Sequence, residues 1–202
     1  MIKNLFFDMG NVIVDVDVPV TYRAFAALAD ISEEESTAIF EEKQFYFNLE
    51  IGKIDNAAFR NLLRESFGNQ LADEAIDTAW CGMLKYLPKE RLDRIQELGT
   101  SYRVFLLSNT NSIHIEEVKR KAAALGHDFL GLFEAPFFSY ELGFMKPDPG
   151  FYIEALKRKD LKAEETLFID DNFDNIESAK KVGIKTIWVD PLGSALEKLV
   201  GY

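Results

Sequence analysis

Four sets of polar residues interrupt apolar runs in this 202-residue chain. Asp8 follows Leu5-Phe6-Phe7, and Ser108-Asn109 follows Val104-Phe105-Leu106-Leu107. Lys146 stands before Pro147, and Asp170-Asp171 follows Leu167-Phe168-Ile169. Each has an ordinary explanation when taken alone. Aspartate is common where a strand gives way to a loop, Ser-Asn caps helices, and a single lysine is usually a solvated charge. Taken together they suit phosphoryl chemistry. A carboxylate can attack phosphorus covalently, while a lysine, a hydroxyl and an amide neutralise or hydrogen-bond the phosphoryl oxygens. Three clustered carboxylates repel one another unless a cation joins them. Oxygen ligands with no His or Cys beside them favour Mg²⁺.

The elements that would position these groups alternate. Ile2 to Phe7 reads as a buried strand, and a long helical region runs from about Val20 to Tyr86. Within it, Ser32 followed by Glu35 is a capping-box signature, and Asp55 can cap a helix carrying Phe59, Leu62, Leu63 and Phe67 at helical spacing. After Pro88 the chain reads as helix to Leu98, strand 104–107, helix 111–125, strand 135–139, helix 148–159, strand 166–169, helix 175–182, strand 185–189 and a last helix near 194–200. Five strands alternating with helices predict an α/β fold with a doubly wound parallel sheet and an inserted all-helical piece. The expected division is 1–15 with 88–202 as the core and 16–87 as the insertion. In such sheets ligands bind beyond the carboxyl ends of the strands, and three strands deliver polar residues there.

Composition narrows the partners. Thirty-four acids against 23 bases give a net charge of −11, which repels nucleic acid and anionic membrane surfaces. It leaves room for a small anion, because a metal or one lysine can reverse the local sign. A single cysteine, Cys81, forms no internal disulfide and suits a reducing compartment. The start of the chain has no signal-peptide pattern, and no apolar run is long enough to span a bilayer. The expectation is a cytoplasmic protein, a monomer or weak homodimer, with a small phosphorylated metabolite as its partner.

The order Asp8-Met9-Gly10-Asn11-Val12, Leu107-Ser108-Asn109-Thr110, Lys146-Pro147 and Asp170-Asp171-Asn172 resembles the haloacid dehalogenase-like (HAD) hydrolases, over essentially the whole chain. The spacing is similar to that of members with a helical cap on a Rossmann-like core. The segments Asp8 to Asp17 and Ser108 to Asn111 resemble bacterial sugar-phosphate phosphatases acting on α-D-glucose 1-phosphate. The resemblance implies a Mg²⁺-dependent phosphatase with Asp8 as nucleophile, forming an aspartyl-phosphate. It implies phosphate contacts from Ser108 and Asn109, and Lys146 holding nucleophile and phosphate together. It implies metal contacts from Asp8, the Gly10 carbonyl and Asp171, with Asp170 beside them.

One departure matters. Most phosphatases of this family carry an aspartate two residues after the nucleophile, which protonates the leaving alcohol. Here that position is Gly10, and losing a positioned acid typically costs about 10²–10⁴-fold. Either the leaving group is comparatively acidic, such as an anomeric hydroxyl, or Asp15 or Asp17 substitutes. Two other functions compete. A 2-haloacid dehalogenase needs no metal and places an arginine by its nucleophile, whereas this chain has an acidic pair and no arginine in its first motif. A catalytically weak protein that binds phosphorylated metabolites would explain Gly10 but has no use for a nucleophile. In the insertion, Glu41, Lys43, Gln44, Phe45 and Tyr46 are candidates to face substrate. The plainer reading makes Phe45 and Phe47 core and the charges solvated. His114 reads as a surface or supporting residue, and Asp174 as a helix cap.

Overall fold

A computed structural model describes residues 1–43, 45–68 and 70–189. The chain opens with strand β1 (Asn4–Phe7) and then forms helices α1 (Val18–Ala29), α2 (Glu33–Lys43), α3 (Phe45–Glu50), α4 (Asn56–Phe67) and α5 (Asp73–Trp80). Helix α6 (Lys89–Leu98) leads to β2 (Arg103–Ser108), α7 (Ser112–Ala124), β3 (Ala135–Phe138) and the short α8 (Ser139–Leu142). Helix α9 (Pro149–Arg158), β4 (Thr166–Asp170), α10 (Phe173–Lys181) and β5 (Lys185–Trp188) complete the described elements. The expected terminal helix near 194–200 lies outside the described residues.

The five strands form one parallel sheet in the order β3-β2-β1-β4-β5. Side chains alternate between its faces, as a period of two requires. Leu5, Phe7, Val104, Leu106, Leu167 and Ile169 enter one apolar cluster, which continues into the insertion. Phe6, Phe105, Leu107 and Phe168 enter the other, with Phe151, Tyr152 and Ile176 from α9 and α10. Both faces are therefore covered, which is why these strands are nearly all apolar. Phe7 is level with both Leu106 and Ile169, so Asp8, Ser108 and Asp170 emerge at one edge.

The insertion is packed around rings. Phe40 meets Tyr22, Phe25, Phe45, Phe67 and Trp80, with centroids 4.8–6.3 Å apart. Thr21 ties α1 to the end of α5, donating to the Trp80 carbonyl at 3.1 Å and accepting from the Met83 amide at 3.2 Å. The predicted starts of α2 and α4 are present. The Ser32 hydroxyl accepts from the Glu35 amide at 3.1 Å and Asp55 from the Ala58 amide at 2.8 Å.

Three expectations need correction. Phe45 is core, but Phe47 is 43% exposed, because only every third or fourth position of α3 faces the insertion's interior. Helix α10 begins two residues before Asn175, and its cap is Asn172, which accepts from the Asp174 and Asn175 amides. Asp174 is thus a first-turn residue. His114 is buried and stacks on Trp80 with centroids 4.9 Å apart, so it is not a surface residue. Among the described residues no helix is long and apolar enough to cross a membrane.

Candidate active site

Asp8 is fixed by its backbone first. Its amide donates to the Ile169 carbonyl at 2.9 Å, continuing the β1–β4 ladder one residue past the strand. Its carboxylate accepts from Lys146 at 2.7 Å. Lys146 donates as well to Asp170 at 2.7 Å and to the Leu107 carbonyl at 3.0 Å. An ammonium has three N–H bonds, so all are used, and the side chain is only 1% exposed. One buried lysine thus joins the ends of β1, β2 and β4.

Asn109 sets the loop that carries this lysine. Its side-chain N–H donates to the Lys146 carbonyl and its oxygen accepts from the Lys146 amide, both at 2.8 Å. The residue expected to touch phosphate therefore also locks the lysine loop. Ser108 is buried, its hydroxyl 3.4 Å from the Asn109 carbonyl.

The two carboxylates after β4 differ. Asp170 is fully buried. One of its oxygens accepts from the Asn172 amide at 2.7 Å, the other from Lys146, and both from the Asn175 side chain at 3.1 and 3.0 Å. Asp171 is partly exposed, and one of its oxygens accepts from the Asn11 side chain at 2.9 Å. Asn11 in turn accepts from the Val16 amide at 2.9 Å and has a left-handed φ of 53°, a conformation asparagine tolerates better than most residues. Asn11 and Asn175 are supports that the sequence reading did not single out for roles. Asn11 stood within a quoted motif, whereas Asn175 carried no signal beyond its place in the first turn of a helix.

Asp8, Asp170 and Asp171 each offer an oxygen within 4.8 Å of the others. Burial pushes the Asp8 carboxyl up to about 7, with Lys146 opposing and Asp170 and Asp171 adding to the rise. Burial also raises Asp171, with its hydrogen bond from Asn11 acting the other way. Lys146 is held above its ordinary value: burial lowers it, but Asp170 and Asp8 outweigh that. One ammonium does not offset three carboxylates, and this donor set of oxygens alone suits a hard divalent cation.

Gly10 is not forced by its surroundings. Its φ is not positive, and a Cβ there would meet only Val16 Cγ2, at 3.4 Å. A side chain is absent without the backbone demanding it. The two proposed substitutes are engaged elsewhere. Asp15 pairs with Arg91 at 2.8 Å, and Asp17 lies 4.0 Å from Arg23.

The insertion meets the core at two places near this edge. Asn56, at the start of α4, accepts from the Ser112 hydroxyl at 3.0 Å. Gly52 has φ +69°, and a Cβ there would come within 2.2 Å of the Tyr140 carbonyl oxygen. Only glycine fits so close an approach. Behind them, Trp80, His114 and Asn111 form a neutral cluster. The His114 ring lies 3.2 Å from both the Trp80 carbonyl and the Asn111 amide nitrogen.

The chain is similar to several known proteins. A D-ribitol-5-phosphate phosphatase of Bacteroides thetaiotaomicron is 33% identical over 187 residues, covering 92% of this chain and 91% of that protein. A HAD family enzyme of the same organism, solved in complex with magnesium and inorganic phosphate, superposes with a TM-score of 0.89 at 31% identity, covering 96% of each chain. A 2-haloacid dehalogenase of Pseudomonas syringae superposes at 0.65 with 23% identity, covering 96% of this chain and 88% of that one. That last likeness concerns the fold alone. The profile of the haloacid dehalogenase-like hydrolases matches residues 2–183, and the chain belongs to that family.

Proposed function

We propose that this hydrolase removes phosphate from a small phosphorylated sugar or polyol, with Asp8 as nucleophile and Mg²⁺ as cofactor. The observation that carries this reading is the buried Asp8–Lys146–Asp170 array with Asp171 beside it. Asp8, Asp171 and the Gly10 carbonyl would hold the metal. Asp170, also expected among the ligands, offers an oxygen to the same cluster while accepting from Lys146 and Asn175. When bound, the ion offsets the charge of phosphate and carboxylates together.

Each residue then has a defined task. An Asp8 oxygen forms a bond to phosphorus as the ester oxygen leaves, giving an aspartyl-phosphate. Water then attacks phosphorus and frees the Asp8 carboxylate. Lys146 keeps Asp8 oriented and offsets charge on the phosphoryl oxygens. Ser108 and Asn109 supply donors from the end of β2. Residues 16–87 act as a cap that excludes water and selects the leaving group. The D-ribitol-5-phosphate relative brings the ester of a primary alcohol into consideration beside the anomeric ester expected from the sequence.

Phosphate release from D-ribitol 5-phosphate, α-D-glucose 1-phosphate, glucose 6-phosphate and p-nitrophenyl phosphate tests this. Turnover should disappear with EDTA and fall by about 10⁴-fold or more in Asp8→Asn, which removes the covalent route. Turnover that survives both treatments overturns the reading. Metal-independent halide release from a 2-haloacid would assign the protein as a dehalogenase instead.

A further inference from the structure

Asp171 lies one residue past the β4–β5 ladder. The pairing ends with Asp170 level with Trp188, and the Val189 amide donates to the Asp170 carbonyl at 3.0 Å. Asp171 is the next residue, in the bend that leads to α10. Its carboxylate accepts from the Asn11 side chain at 2.9 Å. That bond directs the carboxylate only if the backbone behind it is held as well.

The peptide joining Asp171 to Asn172 is gripped at both ends. Its N–H donates to Asp170 Oδ1 at 2.7 Å. Its carbonyl, that of Asp171, accepts from the Trp188 indole Nε1 at 2.8 Å. A peptide unit is planar, so a bond at each end fixes its rotation, and with it the ψ angle of Asp171. Trp188 is turned against the usual preference of such a side chain, which covers its apolar body and keeps its polar tip in water. Here the ring is 50% exposed at the end of β5, an outer strand of the sheet, while the N–H faces inward onto Asp171. Packing does not account for an indole in this place. A donor on a rigid side chain with two torsions does.

We propose that Trp188 is a positioning residue of the metal site, whose indole N–H holds the Asp171 main chain so that the carboxylate points at Mg²⁺. This rests on the phosphatase reading above, in which Asp171 is a metal ligand. Asn11 then holds Asp171 by its side chain and Trp188 by its backbone, one from the loop after β1 and the other from the end of β5. Partners that orient a metal ligand typically contribute about 10–100-fold to metal affinity. A neutral bond to the ligand's backbone belongs at the lower end of that range.

The test is Trp188→Phe, which keeps a ring and removes the N–H. Calorimetry with Mg²⁺ alone should give a Kd about tenfold above that of wild type. At saturating Mg²⁺, kcat and KM for p-nitrophenyl phosphate should stay within about threefold, because the loaded site has the same ligands. Trp188→Leu, which removes ring and N–H together, should lose no more Mg²⁺ affinity than Trp188→Phe. A measurement on wild type needs no variant to fold. The chain has two tryptophans, Trp80 and Trp188, and in isotope-labelled protein Mg²⁺ should shift the indole N–H resonance of Trp188 more than that of Trp80. Wild-type Mg²⁺ affinity in Trp188→Phe, or a further loss in Trp188→Leu, would overturn the role of Trp188. So would a Trp188 resonance that stays in place while the protein binds Mg²⁺. Each of these leaves the phosphatase reading intact. A wild-type protein that binds no Mg²⁺ and hydrolyses no ester would overturn both.

Discussion

At the carboxyl edge of the sheet, Lys146 directs its three N–H bonds to Asp8, Leu107 and Asp170. In the insertion, Phe40 is buried to 1% exposure among five other rings and meets no charge. The two regions solve different problems. The edge confines like charges at short range and holds them with one cation and two asparagines. Its geometry is specified by hydrogen bonds of fixed direction, and its stability depends on every partner remaining. The insertion holds its shape by packing, which is stronger in sum but less directional. A site of the proposed kind, which must place a nucleophile, requires the first kind of construction, and a piece that only covers it tolerates the second.

The largest effect should come from removing the cation at the edge. Lys146→Met leaves Asp8 and Asp170 buried without their common partner. Breaking a buried pair from one side costs about 3–5 kcal/mol, read in EDTA by urea unfolding. Turnover should fall by about 10³-fold, since the variant loses both nucleophile orientation and phosphate charge. Adding Asp170→Asn should restore part of the stability and none of the turnover. If Lys146→Met is as stable as wild type, the edge is not held by charge and the comparison fails. Phe40→Ala should cost a similar about 3–5 kcal/mol through the cavity it leaves. Its folded fraction should still hydrolyse p-nitrophenyl phosphate within about threefold of wild type, because no group at the edge has moved. Loss of that activity would mean that packing in the insertion sets the geometry of the edge.

A smaller effect lies where the two regions join. His114 stacks on Trp80, and burial lowers its pKa to about 4, although the hydrogen bond with the Trp80 carbonyl opposes this. The folded protein therefore refuses a proton that the unfolded chain accepts. Stability from this residue is fully present above the unfolded value of about 6.5 and is lost as the pH falls toward 4. The shift corresponds to about 3 kcal/mol. Comparing wild type with His114→Gln by urea unfolding between pH 7 and 4 isolates it, because the variant lacks this proton uptake. Parallel curves would show that the seam is wetter than its burial indicates.

The same contrast explains what the sequence made legible. Asp8, Ser108, Lys146 and Asp170-Asp171 stood out because each ends or follows a short apolar run, and a strand end fixes the direction of the next residue. The parallel sheet followed from the same alternation. The support by Asn175 was not legible, since nothing in a helix's first turn says that its side chain reaches a carboxylate five residues back. Phe45 and Phe47 are chemically alike, and only the rotation of α3 decides that one is core and the other exposed.

The smallest effect is the most discriminating between carboxylates. Asp15, like Asp17, is a candidate to replace the missing acid, because it follows the nucleophile closely in sequence. The fold uses it otherwise. Its amide donates to the Tyr86 carbonyl and its carbonyl accepts from the Lys85 amide, both at 2.8 Å, within the paired segments that connect insertion and core. Its carboxylate pairs with Arg91, which also donates to the Ile13 carbonyl at 3.2 Å. The pair is 20% exposed on the arginine side and 43% on the aspartate side, so it is worth about 0.2–1 kcal/mol. Asp15→Asn should lower stability by no more than that, and kcat/KM for alkyl and aryl phosphates should stay within about threefold of wild type. A selective loss of about 10²-fold on alkyl esters in Asp15→Asn would instead assign the proton to Asp15. The acid would then belong to the connection between the two regions.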